Sequence, residues 1–134
     1  MTAPNNFSSD LADAVNGLRA IQRLQAAYDD VGWRIQEPSW AKARHLLYHL
    51  VSITATLSRL VEEVEHQQEV GAAPGSEEFG TTLAERADVA GQLVFHAAQI
   101  STLAGTDLGV LLPMAWRRAA ERFAPDSPFA SIQV

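Results

Sequence analysis

Apolar residues recur every three or four positions along most of the chain, whereas alternation with a period of two is nearly absent. This spacing is typical of amphipathic α-helices. Ser9 or Asp10 is the predicted cap of a first helix that runs through residues 11–30. Its predicted apolar stripe comprises Leu11, Val15, Leu18, Ile21, Leu24 and Tyr28. Pro38 stops any helix before Ser39, because the residue that precedes a proline avoids the helical conformation.

Ser39 is the predicted cap of a second helix from about Trp40 to about Val70. At 1.5 Å per residue this helix would be roughly 45 Å long, which is more than a compact domain of this size needs. We therefore expect a second copy of the chain to complete the core, in a homodimer or a homotetramer.

The third predicted helix follows a loop over residues 71–80, which are rich in glycine and polar side chains. Thr82 and Glu85 fit a Thr-x-x-Glu capping box that would open this helix. Gly105 is its predicted end, since glycine readily adopts the left-handed conformation that terminates helices.

A fourth helix is predicted from Asp107 to about Phe123. Pro113 either kinks this helix or marks its true beginning. Residues 1–8 and 125–134 are predicted to be flexible tails, the second of them mostly extended. The predicted fold class is all-α, a four-helix bundle in a single domain over residues 1–134.

Composition narrows the possible functions. Sixteen Asp and Glu residues against ten Lys and Arg residues give a net charge of −6, which disfavours binding to nucleic acid or to anionic membranes. The absence of cysteine excludes disulfides, thiolate zinc sites and cysteine nucleophiles. No apolar run reaches about 18 residues and no signal peptide is visible, so a cytoplasmic protein is expected.

Two polar stripes lie on the predicted helices. The stripe of the second helix has gaps of four and three and comprises His45, His49, Ser52, Thr56, Arg59, Glu63 and His66. A solvated helix face has the same pattern, although two histidines one turn apart can share a metal ion. The stripe of the third helix comprises Glu85, Asp88, Gln92, His96 and Gln99. Its first two carboxylates can face one hard cation, unless Glu85 only closes the capping box.

Residues 85–108 resemble the second half of a MazG-type nucleotide pyrophosphohydrolase domain. Glu85 and Asp88 match the Glu-x-x-Asp motif of that family, and residues 104–108 match its Gly-Ile-Asp-Leu-like turn. The resemblance extends over about residues 12–123.

The segment 114–123 resembles the end of the last helix of the family, which reads Lys-Asn-x-x-Arg-Tyr. Arg118, Arg122 and Phe123 match this motif, whereas Ala119 replaces its asparagine. Because the family places cations here to meet the triphosphate, the resemblance implies phosphate contacts from the arginines of this helix, which are Arg117, Arg118 and Arg122. Ordinary charge at the C-terminus of a helix would explain the same residues.

The first catalytic motif of the family, Leu-x-Glu-Glu-x-x-Glu-Leu, is degenerate in this chain. Leu50 and Leu57 match the two leucines, but the three glutamates are replaced by Ser52, Ile53 and Thr56. This alignment preserves the leucine pattern and the distance from the upstream segment around Trp33, and it is preferred for that reason.

A second alignment uses Glu62 and Glu63 as the paired glutamates and places His66 where the third would stand. It keeps two carboxylates and leaves a plausible spacing to Glu85. The two alignments lead to different functions.

The family hydrolyses nucleoside triphosphates to monophosphates and pyrophosphate with Mg²⁺, and Mn²⁺ is a possible substitute. In the preferred alignment only Glu85 and Asp88 remain as ligands. We then expect lost or impaired hydrolysis and a binding or regulatory role. The residues expected to contact the nucleotide are Ser52, Thr56, Arg118 and Arg122.

In the second alignment the chain is an active enzyme whose metal ligands are Glu62, Glu63, Glu85 and Asp88, with His49 as a possible addition. A helical module that binds only a partner protein is the third hypothesis. A rebuilt site of His45, His49 and the two acids of the third helix would suit zinc, manganese or iron. Trp33, Trp40 and Trp116 are candidates for stacking on a base, although a buried tryptophan is the commoner case.

Overall fold

The computed structural model describes residues 6–32, 39–69, 84 and 86–134. These ranges contain the α-helices α1 (Phe7–Gly32), α2 (Trp40–Glu69), α3 (Asp88–Leu103) and α4 (Leu108–Phe123), followed by a 3₁₀ helix at Pro128–Ser131. They contain no β-strand, so the prediction of an all-α fold with four helices is confirmed for the described residues. None of the described helices combines the length and the apolar character needed to cross a membrane.

The described residues fall into two compact units. The first comprises those of Met1–Glu37 and Ala98–Val134, and the second comprises those of Pro38–Ala97. In the first unit, α4 packs against both α1 and the 3₁₀ helix. The second unit contains α2 and the greater part of α3.

The beginning of α1 differs from the prediction. Ser9 and Asp10 do not cap the helix but lie inside it, because α1 already begins at Phe7. The backbone N–H of Asp10 donates to the carbonyl of Asn6 at 2.8 Å. In addition, the Phe7 ring meets the Phe129 ring edge-on, with centroids 4.8 Å apart. This aromatic contact gives a tertiary reason for the earlier start.

Gly105 terminates the helix α3, as predicted. Gly105 has a φ of +65°, the left-handed conformation that glycine adopts without steric cost. The Thr106 N–H donates to the carbonyl of Ser101 at 2.8 Å, and the Gly105 N–H donates to that of Thr102 at 3.1 Å. This pair of bonds is the Schellman motif, which satisfies the last carbonyls of a helix.

Asp107 caps α4, as the sequence predicts. Its Oδ1 accepts the N–H of Gly109 at 2.8 Å. The helix therefore begins at Leu108, and Pro113 is a buried residue inside it; the alternative start at Pro113 is wrong. Gly109 also permits a close approach of α1, because a Cβ there would lie 3.0 Å from the Val15 carbonyl oxygen.

Side chains of α1 hold the start of α4. Arg19 Nε lies 2.8 Å from Asp107 Oδ2 in an ion pair. Gln22 accepts the backbone N–H of Leu108 and donates to the carbonyl of Thr106, both at 2.8 Å. Side chains of α1, some 85 residues earlier in the chain, thus provide partners for three polar groups of the turn between α3 and α4: the Thr106 carbonyl, the Asp107 carboxylate and the Leu108 N–H.

The C-terminal segment is not extended, contrary to the prediction for residues 125–134. It forms the 3₁₀ helix Pro128–Ser131, and the Ile132 side chain that follows is only 3% exposed. Arg117 of α4 donates to the carbonyl of Ile132 at 3.4 Å. The Phe129 ring of this segment meets the rings of Phe7 and Trp116 edge-on, which explains why the segment folds back.

In the second unit, Ser39 caps α2 as predicted, since its Oγ accepts the N–H of Lys42 at 3.3 Å. Leu46, Ile53 and Leu60 are buried and lie seven residues apart, on one face of the helix. They form the apolar core side of α2.

The helix α3 follows a turn. Ala84 is helical, Arg86 and Ala87 form a turn, and α3 starts at Asp88. Its first backbone bonds run over three residues rather than four, as from the Val89 N–H to the carbonyl of Arg86 at 3.2 Å. The proposed capping box of Thr82 and Glu85 lies outside the described residues.

Candidate functional site

The three positions at which the preferred alignment expects glutamates differ in their surroundings. Ile53 is 6% exposed and lies in line with the other core residues of α2. Ser52 is exposed, and Thr56 is half-buried. The Thr56 hydroxyl donates to the carbonyl of Ser52 at 3.1 Å, one turn earlier in the same helix. The central position of this motif is therefore a core position rather than a ligand position.

The acidic pair of the third predicted helix is only partly described. Asp88 is exposed at the start of α3, and its Oδ2 accepts a hydrogen bond from Gln92 Nε2 at 2.9 Å. Glu85 lies outside the described residues. The Glu85–Asp88 metal pair therefore stays a prediction.

The residues of the second alignment lie near the end of α2. Glu62, Glu63 and His66 are all exposed. An exposed acidic segment at this place has the character of a solvated helix face. Within the part of the chain that the structure describes, no group of three or more His, Asp or Glu side chains has the arrangement of a metal site.

Three of the four histidines come together in the second unit. The Nε2 atoms of His45 and His49, one turn apart on α2, lie 3.0 Å from each other, and the tautomers decide which of the two donates. Their rings are edge-to-face with centroids 4.5 Å apart. The His49 ring also lies against that of His96 on α3, at 5.1 Å and a tilt of 32°. We call these three residues the histidine cluster.

The surroundings of His49 favour its neutral form. Partial desolvation lowers the pKa of His49, and Coulombic repulsion from the rings of His45 and His96 lowers it further. A neutral imidazole has a nitrogen lone pair, which is the form that binds metal ions.

Helical periodicity predicted that His45 and His49 share a face, but it did not pair them with His96. The sequence does place His96 on the polar stripe of α3, eight residues after Asp88, and this position is the feature from which the contact with His49 could have been predicted. His96 is 8% exposed, which is unusual enough for a histidine to single it out.

The arginines of α4 divide into two kinds. Arg117 is half-buried and holds the C-terminal segment through Ile132, so the structure gives it a packing role. Arg118 and Arg122 are exposed, and the Arg122 guanidinium lies 5.0 Å from the centre of the Phe123 ring. Arg118 and Arg122 are the cations of this helix that can reach a ligand from solvent.

The tryptophans also differ from one another. Trp116 is half-buried and meets the Phe129 ring edge-on at 6.1 Å, as a packing residue would. Trp40 is 90% exposed, and Trp33 lies outside the described residues.

Two grooves lie in the first unit, and the sequence indicated neither. One, of about 360 Å³, is lined mainly by residues with polar side chains, and we call it the polar groove; its lining comprises Arg19, Gln22, Arg23, Ala26, Thr102, Thr106 and Asp107. The other, of about 380 Å³, is mainly apolar and is lined by Phe7, Asp10, Leu11, Ala14, Trp116 and Phe129. In the polar groove the charge of Arg19 is already paired with that of Asp107.

The described residues therefore offer chemistry in two places: exposed arginines on α4, and a histidine cluster between α2 and α3. Comparisons of the chain with protein-family models, with curated proteins and with solved structures gave no match.

Proposed function

We propose that this chain is a MazG-like helical protein that has lost magnesium-dependent hydrolysis and binds a nucleotide without cleaving it. The observation that carries the proposal is the burial of Ile53. The preferred alignment expects a metal-binding glutamate at this position, and an isoleucine in the core cannot supply a ligand.

The chemistry of the reaction explains why this one position matters. Hydrolysis of a triphosphate requires Mg²⁺ to neutralise the phosphate oxygens and to place the attacking water. The hydroxyls of Ser52 and Thr56 are neutral, so they cannot replace carboxylates in balancing the charge of two metal ions. Asp88 could still support one Mg²⁺ ion together with substrate phosphates, since this ion often keeps several waters. A two-metal clamp is not expected.

Binding requires less than hydrolysis. The exposed guanidinium groups of Arg118 and Arg122 suit phosphate oxygens, because a planar fork of N–H donors can make two parallel hydrogen bonds. We assign the phosphate contacts of the proposed nucleotide to these two residues.

We also propose that the protein is a homodimer or homotetramer. In the second half of α1, four large apolar side chains recur at gaps of three and four and are all exposed: Ile21, Leu24, Tyr28 and Val31. A second copy of the chain that covers this stripe would remove it from water and be stabilised by that burial.

The hydrolysis part of the proposal is tested by pyrophosphate release from a panel of nucleoside triphosphates, first with Mg²⁺ and then with Mn²⁺. We expect no turnover above the rate without protein. Turnover that disappears in Asp88→Asn would overturn the proposal by showing that Asp88 still holds a catalytic metal. Turnover that disappears in Glu62→Gln and Glu63→Gln would instead establish the second alignment.

The binding part is tested by thermal unfolding with the same nucleotides in the absence of divalent ions. A ligand at about 100 times its Kd adds about 2.7 kcal/mol to the free energy of unfolding. With an unfolding entropy of about 2.1 cal/mol/K per residue, this raises the Tm by about 10 °C. We expect Arg118→Gln and Arg122→Gln to lose this shift, and the exposed Arg44→Gln on α2 to keep it. If no nucleotide raises the Tm, a helical module for a partner protein becomes the better hypothesis.

A further inference from the structure

We propose that His45 and His49 chelate a divalent late transition-metal ion, such as Ni²⁺, Cu²⁺ or Zn²⁺, through their Nε2 atoms. The proposal goes beyond nucleotide binding, which needs no such ion.

The spacing of the two nitrogen atoms carries the inference. Metal–imidazole bonds of about 2.0–2.1 Å place two adjacent ligand nitrogens about 2.9 Å apart at a right angle and about 3.3 Å apart in a tetrahedron. The Nε2 atoms of His45 and His49 lie 3.0 Å apart. When the metal ion binds, the ring that donates in this hydrogen bond takes the tautomer with its proton on Nδ1, so that both Nε2 atoms offer a lone pair, and the rings turn toward the ion.

The backbone and the neighbouring helix hold the pair in this arrangement. His45 and His49 are four residues apart, so one turn of α2 fixes the distance between their Cα atoms. The ring of His96 lies against that of His49 and restricts its rotation. We assign His96 as a positioning residue, since orienting a ligand ring raises metal affinity without a bond to the metal.

The ligand set also determines which ions bind. Imidazole nitrogen suits Zn²⁺, Cu²⁺ and Ni²⁺, whereas Mg²⁺ prefers oxygen ligands. With two imidazole ligands and both side chains exposed, the remaining coordination positions are open to water. We therefore expect affinity to rise in the order Mn²⁺, Co²⁺, Ni²⁺, Cu²⁺, with Zn²⁺ below Cu²⁺.

The experiment is a calorimetric titration of the full chain, without a histidine tag, with NiCl₂, ZnCl₂ and MgCl₂. We expect one Ni²⁺ or Zn²⁺ per chain and no heat with MgCl₂. Loss of a residue that only orients a ligand typically lowers affinity about 10–100-fold, so loss of a ligand itself should lower it at least about tenfold. His45→Gln and His49→Gln should both do so.

His66→Gln is the matched control, because His66 is an exposed histidine on the same helix and should not affect binding. His96→Phe keeps a ring against His49 and should keep the affinity within about tenfold, as expected for a positioning residue. Absence of Ni²⁺ and Zn²⁺ binding would overturn the proposal, as would unchanged affinity in His45→Gln and His49→Gln. A loss in His96→Phe equal to that in His45→Gln, with circular dichroism unchanged, would overturn the assignment of two ligands.

Discussion

Ile53→Glu introduces the glutamate that the preferred alignment expects, and it distinguishes a core position from a metal site that lacks one ligand. If Ile53 belongs to the core, the new carboxylate is buried among apolar side chains and the protein is destabilised. If the position faces a metal pocket, the same substitution is tolerated and Mg²⁺ stabilises the variant.

The expected magnitude follows from the burial of Ile53, which is 6% exposed. Burial of an isoleucine side chain contributes about 1.5–3 kcal/mol, and this contribution is lost in the variant. A polar group buried without a partner adds a cost of about 1–3 kcal/mol. We therefore expect a loss of about 2.5–6 kcal/mol, a large part of the roughly 5–15 kcal/mol by which domains are typically stable. The adjacent Ser52 is exposed, so Ser52→Glu should change the stability by no more than about 0.5 kcal/mol.

The assay is urea denaturation followed by circular dichroism. Ile53→Val and Ile53→Ala complete the series, with expected losses of about 0.5–1.5 and 2–5 kcal/mol. Because burial raises the pKa of a carboxyl, a buried glutamate is tolerated better when it is protonated. The loss in Ile53→Glu should therefore grow between about pH 4 and pH 8. An Ile53→Glu variant within about 1 kcal/mol of the wild type, and stabilised further by Mg²⁺, would refute the reasoning.

Two further predictions concern the first unit. Asp107→Ala removes the acceptor of the Gly109 N–H and the partner of Arg19, and should cost about 1–2 kcal/mol in the same assay, whereas Asp107→Asn keeps an acceptor and should cost less. The hydrogen bond from Arg19 lowers the pKa of Asp107 below its usual value of 3.8. The negative charge of Asp107 therefore stabilises the folded state fully above pH 3.8. This stabilisation is lost as the pH falls through the lower pKa that Asp107 has in the folded state. A difference between wild type and Asp107→Asn that does not shrink in acid would contradict this account. Leu24 is 72% exposed, and Leu24→Glu should convert an oligomer into a monomer of unchanged helicity by light scattering; a monomeric wild type would contradict the proposed oligomer.

The sequence alone determined the features that depend on neighbouring residues. Ser39, Gly105 and Asp107 end or begin helices through hydrogen bonds and backbone conformations that reach no more than a few positions along the chain. Such bonds need no partner far along the chain, so the residue types predict them unless a tertiary contact intervenes, as it does at the start of α1. The same holds for the shared face of His45 and His49, which follows from the period of the helix.

Tertiary structure decided what depends on residues far apart in the chain. The earlier start of α1 and the folded C-terminal segment both involve the contact between Phe7 and Phe129, which no local signal encodes. The partner of His49 is His96, which comes from another helix. The pattern of apolar positions predicts which face of a helix is buried but not what covers it. Helical periodicity determines only which side chains share a face of one helix, whereas the packing of two helices determines which faces meet.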